Sequence, residues 1–295
     1  MTQRTLATIA GLSLAAQLAF GKTGTDADFG AQTVFDTAAG NLAVYQVGTG
    51  PKTLIYWPSV LADHTMYRAQ ASAMGSQYRQ VFIDGPGHGG SGAQPAGATL
   101  DTHAQAALQI MDQLGIRQAT FIGTSWGGLV GARLAHDHPQ RVLGLLALNT
   151  PFETKAGGPA FGDRMTVWAA GMFGNRDFFA TGASKAFFSK SSQEKHPEYI
   201  QAFAARFSAF DRSALAPVLR TVLLERQNAL PWLREIRVPT VIVAGADDPV
   251  ITQAQARHAA DLIPGARLTV AEGVGHLSPI EAASTINAEI EALTR

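Results

Sequence analysis

Short apolar runs that alternate with helix-like segments constrain the fold of this chain more than any other feature of its sequence. Each run is continuous, as a strand covered on both faces requires. The runs occupy residues 53–57, 80–84, 119–122, 142–148, 240–244 and 267–271, and a β-hairpin at residues 33–47 precedes them. The alternation predicts βαβ units, and therefore an α/β fold with a mostly parallel, eight-stranded sheet and flanking helices.

A single hydroxyl follows one of these runs directly. Ser125 comes after the strand at residues 119–122 and before a helix predicted at residues 126–138, with Gly123 and Gly127 two residues away on either side. A serine in so sharp a turn is forced into a strained backbone conformation, and only small neighbours fit beside it. The pattern Gly-x-Ser-x-Gly predicts a nucleophile elbow, which exposes the hydroxyl at the start of a helix.

Acidic and basic partners for this serine follow two later strands. A serine hydroxyl needs a base to take its proton and an acid to orient that base. Asp247 and Asp248 follow the strand at residues 240–244, and His276 follows the strand at residues 267–271. The carboxyl ends of parallel strands share one edge of a sheet, so these side chains are expected near Ser125.

Four segments, residues 84–91, 123–128, 245–248 and 273–276, together resemble the α/β-hydrolase fold family, and the resemblance extends over residues 32–294. The family places its acid three residues after a glycine, which favours Asp248, with Asp247 as the alternative. The resemblance thus implies a catalytic triad of Ser125, Asp248 and His276. It also implies a structural role for His88, which lies in a glycine-dense turn at residues 85–92.

Backbone amides are expected to bind the oxyanion that forms when a serine attacks a carbonyl group. One belongs to Trp126, the residue after the nucleophile, where the helix dipole assists. Family members carry His-Gly in the loop after the third strand, where this chain has Pro58-Ser59. The second donor is therefore Val60 or Ser59, depending on how the loop is aligned.

An insertion rich in phenylalanine interrupts the alternation. Residues 151–234 contain ten of the fifteen phenylalanines and show helical periodicity without a strand-like run. We expect a helical cap here, between strands 6 and 7, with the hydrolase core formed by residues 32–150 and 235–295. Most of the aromatic rings are expected to form the core of the cap, and a few to cover Ser125.

The N-terminal residues have a different composition. Residues 5–21 carry no charge and end in small residues, so residues 1–22 fit a secretory signal peptide cleaved near Gly21. The alternative is an apolar helix packed on the domain. Residues 23–31 are expected to be a linker. The protein is expected to be periplasmic or secreted if the leader is cleaved, and cytoplasmic otherwise.

Composition excludes several classes of site. The chain has no cysteine, which rules out disulfides, thiolate catalysis and zinc–thiolate centres. Its formal net charge is zero, without the basic stripe expected of a nucleic-acid-binding protein. No cofactor, no metal and no membrane contact after leader removal are expected, and the sequence gives no indication of the oligomeric state.

The capped esterases, lactonases and C–C bond hydrolases are the most similar subgroup. Because the nucleophile is serine and not aspartate, the haloalkane dehalogenase and epoxide hydrolase branches are disfavoured. We therefore expect a serine hydrolase that cleaves a small, partly apolar carboxylic ester or lactone through an acyl-enzyme. The alternatives are a C–C bond hydrolase or a perhydrolase with the same triad, and a ligand-sensing protein without catalysis.

Overall fold

A computed structural model describes residues 26–154, 158–173 and 176–295. The predicted signal peptide at residues 1–22 lies outside these residues, as does the first part of the predicted linker. Within the described ranges, no helix is both long enough and apolar enough to cross a membrane.

Eight strands form one sheet, as the alternating pattern predicts. The strands are β1 (Thr33–Thr37), β2 (Gly40–Val47), β3 (Lys52–Trp57), β4 (Tyr78–Ile83), β5 (Ala119–Thr124), β6 (Val142–Leu148), β7 (Thr240–Gly245) and β8 (Arg267–Ala271). Their spatial order is β1-β2-β4-β3-β5-β6-β7-β8. Only the β1/β2 and β2/β4 pairs are antiparallel, so β3 to β8 run in one direction and their carboxyl ends lie at one edge.

Helices of the core flank this sheet. They are α1 (Arg68–Met74), α2 (Leu100–Gln113) and α3 (Trp126–Asp137), followed after the insertion by α10 (Gln253–Leu262), α11 (Ser278–Glu281) and α12 (Ala283–Leu293). Helix α3 packs against β5 and β6, the strands that immediately precede and follow it in the chain. The burial of β5, β6 and β7 is almost complete, which explains their continuous apolar sequences.

Helices alone occupy the described part of the chain between β6 and β7. They are α4 (Phe161–Phe173), α5 (Asp177–Lys185), α6 (Lys190–Lys195), α7 (Pro197–Ser208), α8 (Arg212–Leu219) and α9 (Leu230–Leu233), with a π-helical turn at Arg220–Glu225 after α8. We refer to these helices, together with the described segments that join them, as the cap. Several of the cap phenylalanines are buried, as expected, but Phe161 and Phe178 are exposed.

Several core helices are bounded by a residue that leaves the helical conformation. A 3-10 turn at His64–Tyr67 leads into α1, which ends where Gly75 adopts φ 49°. Helices α11 and α12 are separated by Ala282, whose φ of −135° is not helical. Pro217 lies within α8, where it lacks the amide needed for the helical hydrogen bond, and the π-helical turn follows it.

The predicted linker at residues 23–31 is wrong over its second half. Residues Asp26–Phe29 form a 3-10 turn, and Phe29 is fully buried in the core. Its ring packs edge-on against His64 and Phe82, with ring centroids 4.7 and 4.9 Å away. The folded core therefore begins before residue 32, because the side chain of Phe29 packs beside the sheet although its neighbours in sequence are mostly polar.

Candidate active site

Ser125 occupies a strained turn between β5 and α3. Its φ of 54° and ψ of −111° belong to a region of backbone conformation that residues other than glycine rarely adopt. A Cβ atom at Gly123 would lie 2.1 Å from the carbonyl oxygen of Gly127, and a Cβ atom at Gly127 would lie 2.0 Å from the carbonyl oxygen of Trp57. Both glycines are thus required by close backbone contacts, which hold the serine at the carboxyl edge of the sheet.

Asp248 and His276 come together at the same edge. Nδ1 of His276 lies 2.9 Å from Oδ2 and 3.1 Å from Oδ1 of Asp248, and both side chains are buried. Asp247, the alternative acid, is exposed and contacts this region through its backbone amide, which donates to the carbonyl of Val274. The structure therefore pairs Asp248 with His276.

Four of the described residues donate hydrogen bonds to the carboxylate of Asp248. Burial alone raises the pKa of Asp248, but the charge of His276 and the hydrogen bonds from His276, Asn149 and the amide of Val250 outweigh burial, so the pKa lies below its ordinary value. The amide of Ile251 donates to the same carboxylate at 3.2 Å. An ionised carboxylate can only accept, so Nδ1 of His276 carries a proton and Nε2 is the basic atom of the ring.

His276 and Ser125 line one cavity of about 230 Å³. Nε2 of His276 is buried and has no hydrogen-bond partner among the described residues. A buried ring nitrogen without a partner is costly in a structural histidine. It is therefore available to take a proton from a group in this cavity.

The cavity lies between the sheet edge and the cap. Its walls are mostly apolar, and the polar and charged lining residues besides Ser125 and His276 are Glu153, Thr154, Asp163, Arg226 and Gln255. Three consecutive residues of the π-helical turn, Val222, Leu223 and Leu224, all line it. Phe187 is the one cap phenylalanine that lines it among the described residues. A few cap rings were expected to cover Ser125; of the described ones, only that of Phe187 lines the cavity, and its centroid lies 5.3 Å from that of His276.

Three backbone amides near the cavity, those of Ser59, Val60 and Trp126, have no acceptor among the described residues. Trp126 begins α3, and its amide and that of Val60 donate to no acceptor within the described ranges. Val60 lines the cavity. The amide of Ser59 shares this property in the described part of the chain, but Ser59 is fully buried and does not line the cavity. The geometry thus favours Val60 over Ser59 as the second oxyanion donor.

Asn149 joins the loop that carries Asp248 (the acid loop) to the loop that carries His276 (the histidine loop), a role that the sequence analysis missed. Its Nδ2 donates to Oδ2 of Asp248 at 2.9 Å and to the carbonyl oxygen of Gly275 at 3.0 Å. It is fully buried and has a φ of 47°. Asparagine tolerates this left-handed conformation better than other side chains, and its position at the end of β6 was the available signal.

Glu281 and the cap hold the backbone around His276. Glu281 accepts hydrogen bonds from the amides of Gly275 and Ser189, at 3.1 and 3.0 Å. The amide of His276 donates to the carbonyl oxygen of Phe187 at 2.7 Å. The histidine loop is therefore attached to α11 on one side and to the cap on the other, an arrangement for which the sequence carried no separate signal.

A chain of hydrogen bonds links the elbow to the π-helical turn of the cap. The indole of Trp126 donates to Nδ1 of His103 at 3.1 Å, and Nε2 of His103 contacts Gln94, which donates to Thr221 in the π-helical turn. Burial, with a smaller effect of the nearby His88, lowers the pKa of His103 to about 3. His103 is thus a neutral connector, and the indole of Trp126 belongs to the core.

Comparisons with known proteins identify the family of the chain. The family model for the alpha/beta hydrolase fold matches residues 52–283. The chain is 26% identical to 3-oxoadipate enol-lactonase 2 of Acinetobacter baylyi over 82% of its own length and 88% of the relative, and 28% identical to the putative carbamate hydrolase RutD of Stutzerimonas stutzeri over 74% and 82%. The enol-lactonase structure from Burkholderia xenovorans superimposes with a TM-score of 0.79 at 25% identity, covering 86% of this chain and 96% of that one. The protein belongs to the α/β hydrolase fold family.

Proposed function

We propose that the protein is a serine hydrolase that cleaves a small, partly apolar carboxylic ester or lactone through an acyl-enzyme. The observation that carries the proposal is the common cavity of Ser125 and His276, with Asp248 bonded to the far nitrogen of the imidazole. The names of the relatives, an enol-lactonase and a putative carbamate hydrolase, support hydrolysis of an acyl group. Serine chemistry in particular rests on the geometry of this site.

In this mechanism Nε2 of His276 takes the hydroxyl proton as Oγ of Ser125 attacks the substrate carbonyl. The carboxylate of Asp248 stabilises the imidazolium and keeps its orientation. The amides of Trp126 and Val60 bind the oxyanion, because neither has another acceptor within the described residues. His276 then protonates the leaving group, and water activated by the same imidazole hydrolyses the acyl-enzyme.

The cavity supports a substrate with one apolar arm. Its volume of about 230 Å³ is modest, and the consecutive residues Val222, Leu223 and Leu224 give it an aliphatic wall. These three residues belong to the π-helical turn, a type of helix that is rare and occurs frequently at functional sites. A short acyl chain is therefore expected to lie against this turn.

The test is hydrolysis of p-nitrophenyl acetate and butyrate by the unaltered protein and by Ser125→Ala, with Ser72→Ala as the matched control. Ser72 is an exposed serine of α1 outside the cavity. Loss of the nucleophile should lower kcat by at least about 10³-fold, and the control should keep its activity. Equal rates for Ser125→Ala and the unaltered protein would refute the proposal. A panel of esters and lactones of graded acyl length would then define the substrate, and product analysis with β-diketones would detect C–C cleavage.

The basic form of His276 adds a second test. Activity should decrease as the pH falls, because the protonated imidazole cannot accept the hydroxyl proton. The low pKa of Asp248 keeps the carboxylate ionised over the same range. A rate that stays constant down to about pH 4 would contradict the role of His276 as base.

We further propose that residues 1–22 act as an export signal, on the basis of their uncharged, apolar sequence. N-terminal sequencing of the protein recovered from the periplasm or medium would locate the cleavage site. Recovery of the uncleaved chain in the cytoplasm would show the proposal to be wrong.

A further inference from the structure

The loop after β3 contains a conformation that needs external support. Leu61 has a φ of 65°, although it is a branched residue and not glycine. Such a conformation costs of the order of 1 kcal/mol or more and persists only where neighbouring groups determine it. Val60, the residue before it, carries the amide that lacks an acceptor and lines the catalytic cavity.

His88 supplies a hydrogen bond that fixes this loop. Its Nδ1 lies 2.8 Å from the carbonyl oxygen of Pro86, which can only accept, so Nδ1 carries the proton. Its Nε2 is then an acceptor, and the amide of Leu61 donates to it at 2.9 Å. Both ring nitrogens are thus used, and the ring is completely buried. Burial lowers the pKa of His88 and so favours this neutral form.

The ring of His88 also contacts the side chain of Trp126, the residue that carries the other proposed oxyanion donor. It packs against the indole of Trp126, with ring centroids 5.4 Å apart, and edge-on against Phe210 of the cap at 5.3 Å. The ring thus contacts the side chain of Trp126, and it accepts a hydrogen bond from Leu61, the neighbour of Val60. A shift of this ring would therefore affect both donors.

We propose that His88 is a positioning residue of the oxyanion hole. By accepting the hydrogen bond of the Leu61 amide, it holds the strained loop in the one arrangement that leaves the Val60 amide directed at the cavity. The proposal rests on the acyl-transfer function proposed above. It assigns to His88 an effect on the transition state, beyond its contribution to folding, and it explains how the loop works with Pro58-Ser59 in place of His-Gly.

Two substitutions separate these effects. His88→Leu fills a similar volume but cannot accept a hydrogen bond, whereas the amide oxygen of His88→Gln can accept one from Leu61. For a p-nitrophenyl ester, His88→Leu should lower kcat/KM about 10- to 100-fold, less than the roughly 10²- to 10³-fold cost of losing a whole oxyanion donor. KM should change less than about threefold, because the interaction is made in the transition state. His88→Gln should recover part of the rate.

An inhibitor that forms a tetrahedral oxyanion on the serine gives the specific readout. The affinity of an alkyl trifluoromethyl ketone should weaken in His88→Leu by about the same factor as kcat/KM. Ile286→Ala, which removes a fully buried side chain in α12, is the control for lost stability and should keep the unaltered kcat/KM and inhibitor affinity. If His88→Leu does not fold, His88→Asn replaces it, since its shorter side chain falls short of the Leu61 amide.

Folded His88→Leu with unchanged kcat/KM, or with unchanged inhibitor affinity, would overturn the assignment. So would a His88→Gln variant no more active than His88→Leu. Failure of the underlying function is a separate result, namely an unaltered protein that hydrolyses no ester or lactone and whose Ser125 is not labelled by a fluorophosphonate. If the unaltered protein is active and labelled, and His88→Leu keeps the same kcat/KM and inhibitor affinity, only the role of His88 is refuted.

Discussion

Asn149 offers the sharpest test of how the acid and histidine loops are held. Removing its side chain in Asn149→Gly deletes a hydrogen bond to the ionised Asp248, worth about 1.5–3 kcal/mol, and one to the carbonyl of Gly275, worth about 0.5–1.5 kcal/mol. The free energy of unfolding should therefore decrease by about 2–4 kcal/mol. Because Asp248 loses one of its anchors, kcat should also decrease, by about 10- to 100-fold.

The backbone of Asn149 contributes separately through its φ of 47°. Alanine is strained in this region and glycine is not, so Asn149→Ala should be less stable than Asn149→Gly by about 0.5–1 kcal/mol, after allowance for the freedom of glycine in the unfolded chain. Asn149→Asp keeps the shape but cannot donate and places a second carboxylate beside Asp248, so it should be at least as damaging as glycine.

Urea unfolding followed by tryptophan fluorescence measures the stabilities, and p-nitrophenyl butyrate hydrolysis measures kcat. An Asn149→Gly variant within about 0.5 kcal/mol of the unaltered protein would refute the energetic reasoning, since that is less than one ordinary hydrogen bond. A loss of stability without any loss of kcat would instead refute the claim that Asn149 orients the acid.

Three further predictions concern the elbow, the buried histidine and the cap. Gly123→Ala should yield insoluble or inactive protein, because the new Cβ would meet the carbonyl of Gly127 at 2.1 Å; soluble expression with full activity would contradict the elbow geometry. The pKa of His103 is about 3 in the folded protein and about 6.5 in the unfolded chain, so the unfolded state binds more protons between these pH values. The stabilisation from neutral His103 should therefore be lost as the pH falls from 6.5 towards 3, by roughly 1 kcal/mol per pH unit. Urea titrations at several pH values should show a shallower decrease in His103→Phe, and an unchanged slope would argue against the shift. Arg206→Met should destabilise the protein by about 2–3 kcal/mol at neutral pH, because Nε and Nη2 of Arg206 lie 2.9 and 2.5 Å from Oδ2 of the buried Asp63. Burial raises the pKa of Asp63, but the charges of His64 and Arg206 outweigh burial and lower that pKa. The difference in the free energy of unfolding between Arg206→Met and the unaltered protein should therefore shrink as the pH falls. A difference that stays constant would exclude this ion pair as the cause.

The sheet and the three residues of the proposed triad were predictable because each depends on local patterns. A buried parallel strand needs a continuous apolar run, and a loop after such a strand has a known location at the sheet edge. Ser125 is further specified by Gly123 and Gly127, whose replacement would bring atoms into contact. These constraints lie within a few residues of the positions they determine.

Residues that act on distant backbone were not predictable in the same way. Asn149 bonds to Asp248, 99 positions away, and Glu281 accepts the amide of Ser189, 92 positions away. Neither residue lies in a motif that requires its side chain, so only the assembled loops reveal the contact. Phe29 was missed for a related reason, since the polar residues around it gave no sign that its ring enters the core.

The attachments of the cap determine how its sequence can be varied. The carbonyl oxygen of Phe187 accepts a hydrogen bond from the amide of His276. Arg206 pairs with Asp63, three residues after Val60, and the hydroxyl of Thr221 accepts a hydrogen bond from Gln94. Exchanging the whole insertion for that of a relative would sever all three links at once and disorganise loops that the new helices never touch. Substrate preference is therefore best altered by randomising only Val222, Leu223 and Leu224 of the π-helical turn, with Phe187, Arg206 and Thr221 kept unchanged.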